Sequence, residues 1–174
     1  MDRALQRLYD ICGAIAGVLI LCICVLISAQ IILNGFGRLS PGTLPSTIPS
    51  YADFSGYMLA GATFLALAHT LRAGGHIRVN LVVGRLRPSV QLWCEGFVLL
   101  ISILLIGYLA WFMIALVLES LHYGDVSTGI IPIPLWIPQS VAALGVVLLW
   151  IAVLHTLADL IRTRAPVLST PDEV

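Results

Sequence analysis

The chain has 174 residues, of which 59% are apolar and 10% charged, with no formal net charge and a mean hydropathy of +1.01. Soluble domains run near half apolar and a quarter charged, so a water-facing fold is excluded for want of polar surface. All nine cations are arginines, scattered over separated segments, which excludes a continuous basic face that tracks a phosphate backbone.

Residues 1–10 are short and polar, with Arg3 and Arg7, and Asp10 is placed to cap a following helix. Residues 11–33 are apolar apart from Ser28 and Gln30. About 20 residues at 1.5 Å rise cross a hydrocarbon core of roughly 30 Å, so this is span one. A cleaved signal peptide carries a shorter apolar region of about 7–15 residues and a small-residue cleavage site; no convincing site stands here, and the segment reads as a retained span. Residues 34–50 contain Gly35, Gly37, Gly42, Pro41, Pro45 and Pro49 and read as an exposed loop rather than a helix. Span two covers 51–71.

The next stretch, Leu71-Arg72-Ala73-Gly74-Gly75-His76-Ile77-Arg78-Val79-Asn80-Leu81 and on to Arg85-Leu86-Arg87-Pro88, holds four arginines and no acid. Val79, Val82, Val83 and Leu86 share one helical face flanked by Arg78, Arg85 and Arg87. That pattern fits a short helix lying in the membrane interface, its guanidinium groups reaching phosphates; a plain basic turn is the other reading. Span three covers 89–119, long enough to imply tilt. Residues 120–134 form a second loop, and span four covers 135–161, with Trp136 suited to the aromatic belt. The sequence therefore predicts an all-α integral membrane protein, a single domain over 1–174 with four transmembrane helices. With four spans, Arg3, Arg7, Arg72, Arg78, Arg85, Arg87, Arg162 and Arg164 fall on one side and Arg38 alone on the other. The positive-inside rule then places both termini and the 72–88 connection in the cytoplasm.

Few residues invite chemistry. Asp53, near the start of span two, reads either as an ion-pathway group or as an interfacial residue that caps its helix or meets a polar partner. Glu119 lies at the same end of span three. Glu95, near the opposite end, is expected to pair with Arg72 or Arg78. His69 and His155 lie at matched depth on different spans, as a bis-histidine haem site requires; the other reading is interfacial histidines held by a neighbouring helix. Cys12, Cys22, Cys24 and Cys94 lie in or beside apolar runs and read as small buried apolar residues; a metal site would need convergent ligands, and Cys22 and Cys24 point to different helix faces. Gly13-x-x-x-Gly17 and Gly56-x-x-x-Ala60 permit close helix approach. No phosphate loop, nucleophile elbow or zinc-binding helix appears, so neither catalysis nor a resident cofactor or metal is expected.

Three places carry a family resemblance: Tyr51-Ala52-Asp53 at the head of span two; Leu71 to Leu81 with Leu86-Arg87-Pro88; and Ser127-Thr128 through Ile133-Pro134-Leu135-Trp136-Ile137-Pro138. The chain resembles the small membrane (Q) subunit of tripartite ATP-independent periplasmic transporters, the TRAP family. Asn80 stands where the family usually has Asp, and Asp53 where Glu is commoner. The resemblance implies a non-catalytic subunit in the bacterial inner membrane. Its implied partners are a large elevator-type membrane subunit that carries sodium and an organic carboxylate, a periplasmic substrate-binding protein reached through the assembled complex, and membrane lipids. It assigns the chain the task of bracing the large subunit in the bilayer, with Asp53, Arg72, His76, Arg78, Arg85 and Arg87 expected at the subunit or lipid interface. The reading from another class is a haem- or quinone-associated membrane anchor of an oxidoreductase.

Overall fold

The computed structural model describes residues 2–39, 47–73 and 87–163. The protein is all-helical: α1 (Asp2–Leu39), α2 (Tyr51–Arg72), α3 (Pro88–Tyr123) and α4 (Trp136–Thr163). All four are long and apolar enough to cross a membrane. They stand in a row, α1 against α2, α2 against α4 and α4 against α3. The two central helices run parallel and each flanking helix runs antiparallel to its neighbour. The start of α1, the end of α2, the start of α3 and the end of α4 therefore share one end of the bundle, the arginine end. The interfacial helix expected between α2 and α3 lies outside the described residues.

Local chemistry sets the helix boundaries. Pro88 occupies the first turn of α3, where its missing N–H is no loss. Gly124 ends α3 at φ 67°, a left-handed conformation that suits glycine, and its N–H returns to the Ser120 carbonyl. Pro138 sits in the first turn of α4, again where no N–H is required. One boundary departs from the sequence reading. Asn34 to Leu39, expected in a loop, continue α1 as helix through Gly35 and Gly37. Isolated glycines cost a helix only about 1 kcal/mol each, and the helix-breaking prolines begin only at Pro41.

Small residues let the helices meet. One core cluster joins Tyr9, Cys12 and Ala16 of α1, Ala62, Leu65 and Ala68 of α2, and Leu148 and Ala152 of α4. A second, Leu99 with Val153 and Leu160, joins α3 to α4. The tightest approach is at Gly145, where an added Cβ would lie 2.5 Å from the carbonyl carbon and oxygen of Phe64. Gly61 sits between Leu19 and Val141, each 3.3 Å from where its Cβ would be. Neither belongs to the spaced pairs noted in the sequence. Of those, Gly13 receives the His69 ring, whereas Gly17 and Gly56 face open space.

The flanking helices leave broad apolar faces uncovered, among them Leu21, Val25 and Ile31 on α1 and Leu104, Leu105 and Trp111 on α3. Cys22, Cys24 and Cys94 also point outward, and only Cys12 is buried. The expectation of four buried thiols thus fails for three, because helix row packing covers one narrow stripe of α1 and α3.

Gly145→Leu is expected to destabilise the protein by about 1–3 kcal/mol through backbone overpacking, whereas Gly17→Leu, which meets nothing, changes it little. Thermal midpoints of the two purified variants in one detergent give the comparison. Equal midpoints would show that α2 and α4 do not approach at Phe64.

Candidate functional site

The polar side chains inside the bundle gather at its two ends. At the arginine end, Arg72 leaves the last turn of α2 and crosses to α4, where its Nη1 donates to Asp159 Oδ2 at 2.9 Å. The same nitrogen lies 3.4 Å from Thr156 Oγ1, and Thr156 is wholly buried. The Thr156 hydroxyl itself donates to the Ala152 carbonyl of its own helix. His155 Nε2 is 3.8 Å from the other carboxylate oxygen of Asp159, one helical turn away. Asp159 is thus shared by two cations when His155 is protonated. The pair is only about one-fifth exposed, at 18% and 23%, which strengthens it relative to a surface ion pair.

On the other flank of α2, His69 Nδ1 lies 3.3 Å from Asp10 of α1. The His69 ring rests directly over Gly13, where a Cβ would come within 2.8 Å. Tyr9, fully buried in the first core cluster, completes the α1 side. The two histidines paired by sequence depth therefore serve different helix contacts, His69 toward α1 and His155 beside Asp159 on α4. No group of three or more metal-ligating side chains occurs among the described residues.

The opposite end is tied by a loop. Ser127 N–H donates to the Ile133 carbonyl at 2.8 Å and Leu135 N–H to the Asp125 carbonyl at 2.9 Å, so 125–135 folds back on itself around a single Val126–Pro134 bridge. Ser127 Oγ accepts the Ile133 N–H at 3.0 Å. The loop lies over the head of α2, with Ile131 N–H donating to Ser50 Oγ at 2.9 Å. Ser50 adopts φ 54°, uncommon for a residue with a side chain, at the position where its hydroxyl accepts this loop contact. Gly129 packs against the Asp53 carboxylate and the Ser50 hydroxyl, leaving no room for a Cβ. Asp53 also stands in the first turn of α2, where the helix dipole favours a negative charge. On the other side, Gln30 of α1 donates to Thr47 Oγ1 at 3.0 Å and accepts Ile48 N–H at 2.7 Å. From Asp10 to Gln30 is about 20 residues, or roughly 30 Å along α1, the thickness of a hydrocarbon core.

A third tie lies between the ends. Trp150 Nε1 of α4 donates to the Ile103 carbonyl of α3 at 3.0 Å. Gly107 makes room for it, since a Cβ there would sit 2.8 Å from that nitrogen.

Of the residues singled out by sequence, Asp53 and Arg72 take part in the two end ties. Arg87 is exposed just before α3. His76, Arg78 and Arg85 lie outside the described residues. Glu95 is buried on α3; Arg72 pairs with Asp159, and Arg78, the other arginine expected near Glu95, lies outside the described residues. Glu119 is exposed on α3. Sequence reasoning missed Asp159, Thr156, Gln30, Ser50, Gly129 and Trp150. Asp159 was within reach: it is the sole acid of its helix, and four-span parity puts it at the depth of Arg72.

A cycle of Arg72→Ala, Asp159→Ala and the double variant is expected to show a coupling energy of about 1–3 kcal/mol, the range for charge-assisted hydrogen bonds between neighbours. Denaturation of the four proteins in one detergent measures it. Strictly additive losses would mean the pair contributes nothing of its own.

The model of one protein family, described as "Tripartite ATP-independent periplasmic transporters, DctQ component", matches residues 27–163. No curated protein matches the chain, and no solved structure does.

Proposed function

The chain belongs to the DctQ component family of tripartite ATP-independent periplasmic transporters, and from that premise we propose that it is the non-catalytic small subunit that braces a large, moving membrane subunit in the bacterial inner membrane. The large subunit carries an organic carboxylate with sodium, and a periplasmic binding protein delivers that substrate to the assembled complex. In this reading both termini and the 72–88 connection face the cytoplasm, the orientation the positive-inside rule favours for this arginine distribution.

The observation that carries this reading is where the polar groups go. Arg72, Asp159, Thr156, Gln30 and Ser50 bond from one segment of the bundle to another, and the helix surfaces beyond them are apolar. A carrier of ions needs polar groups turned toward a water-filled path. A brace needs helices fixed to one another and an apolar flank on which a neighbour can slide or seat. The long uncovered faces of α1 and α3 supply that flank. Arg72 has its task inside this bundle, holding α2 to α4, and acts on the partner by keeping the flank in shape. Asp53 lies under Gly129 of the 125–135 loop at the other end. His76, Arg78, Arg85 and Arg87 anchor the cytoplasmic edge to headgroups or to the large subunit.

Co-expressed with its large subunit, the chain is expected to co-purify with it in mild detergent, and transport is expected to be lost when the chain is deleted. Arg72→Ala and Arg78→Ala should each lower the yield of complex. Full transport by the large subunit alone would overturn the assignment. Reporter fusions at Gly74 and at Gly129 should report the cytoplasm and the periplasm respectively; the reverse pattern would invert the orientation.

A further inference from the structure

At the arginine end, α3 and α4 leave an open apolar groove of about 780 Å³ between them, bounded along α3 by Leu92 and Leu100 and along α4 by Leu157 and Ile161. Its floor is part of the second core cluster, with Leu160 only 3% exposed, and Gly96 keeps that floor low. Its walls stand open: Trp93 is 80% exposed, Phe97 63% and Ile161 68%. The groove is therefore built on a packed base and lacks a cover.

Its length selects the occupant. Leu92 to Leu100 is about 12 Å of helix rise. A transmembrane helix needs a seat nearer 30 Å long, whereas one leaflet of hydrocarbon is about half that core. An acyl chain entering from the near interface matches the groove. Charge selects the kind of lipid. Arg87, just ahead of α3, and Arg162, in the last turn of α4, are both exposed at the same end of the bundle as the groove. The nearest carboxylate on α4, Asp159, already holds Arg72, and Glu95 on α3 is buried. Among the described residues, the exposed charges at this end of α3 and α4 are thus arginines within side-chain reach of the headgroup layer.

We infer that this groove is a binding site for one anionic phospholipid, with an acyl chain between α3 and α4 against Trp93 and Phe97 and its phosphate held by Arg87 and Arg162. The lipid serves as the missing wall and ties the far ends of α3 and α4 to the headgroup layer. The site requires only the folded chain, so its failure would leave the transporter reading standing.

The test uses the full-length chain in nanodiscs of phosphatidylcholine that contain either brominated phosphatidylglycerol or brominated phosphatidylcholine at equal mole fraction. Quenching of Trp93, taken as the difference between the parent and Trp93→Phe, is expected to be greater with the brominated anionic lipid. The mole fraction giving half of that quenching should rise about fivefold for each arginine removed in Arg87→Gln and Arg162→Gln, the loss set by one cation beside an anionic surface. Gly96→Phe, which fills the slot and leaves both arginines in place, should abolish the preference. Equal quenching by the two lipids would overturn the site, as would an anionic preference that survives the double arginine variant or the filled groove.

Discussion

Hydrocarbon offers no hydrogen bonds, and the rest of this structure follows from that fact. A helix satisfies its own backbone, and its Ser and Thr hydroxyls can return to that backbone, as Thr63, Ser102 and Thr156 do, but a longer polar side chain in a span must find a partner on another segment or reach the interface. In this protein both solutions coincide. Arg72 and Asp159 meet at one end. Gln30 meets Thr47 and Ile48 at the other. Between them the contacts are apolar, save the indole of Trp150 donating to a helix carbonyl. Each polar tie joins neighbours in the row, so the ties fix the order α1, α2, α4, α3 where apolar packing alone would tolerate several orders. Pairing between specific side chains thereby gives direction to an otherwise greasy association.

The same logic explains which helix lies where. α2 has the lowest hydropathy of the four spans and carries Asp53, His69 and Arg72. Such a helix is poorly suited to lipid on all sides, so it lies inside the row with α1 and α4 flanking it. α1 and α3 carry almost continuous apolar surface and take the edges. α4 joins the two halves through both kinds of contact: small residues against α2, where Gly145 admits the Phe64 backbone, and a tryptophan against α3, where Gly107 admits the indole.

Much of this was legible in the sequence and some was not, for physical reasons. Helix type and number followed from long apolar runs, because only a helix can carry such a run through a bilayer alone. The importance of Arg72 followed from its position between an apolar span and a basic link. Its partner did not follow, because pairing depends on which helices are neighbours, and a row of four helices has several possible orders. Gly13-x-x-x-Gly17 suggested a helix seam, yet only Gly13 is in one; spacing marks a face without saying what covers it. The tail of α1 was misread because Gly35 and Gly37 lower helix propensity without forbidding helix, and the true breakers lie beyond Leu39. The loop over Asp53 was hidden for the opposite reason. Gly129 is an ordinary residue about 75 positions along the chain from Ser50 and Asp53, and only folding brings it onto them.

The bracing role we propose calls for resistance to shear along the membrane normal, and the placement of the ties suits that load. Apolar faces slide past one another at little cost, since lipid is as good a neighbour as leucine. Ties confined to one end would leave the helices free to splay at the other. Ties at both ends, about one hydrocarbon thickness apart along α1, convert α1, α2 and α4 into a frame. The 125–135 loop adds a clasp to the head of α2 through Ser50, and Gly129 lets it sit flush on Asp53. α3 is bound to the frame through Trp150 and the Leu99–Val153–Leu160 cluster, and beside its first turns the apolar groove opens between it and α4. The groove lies beside these ties and not among them, so a membrane component can enter it without breaking any of them.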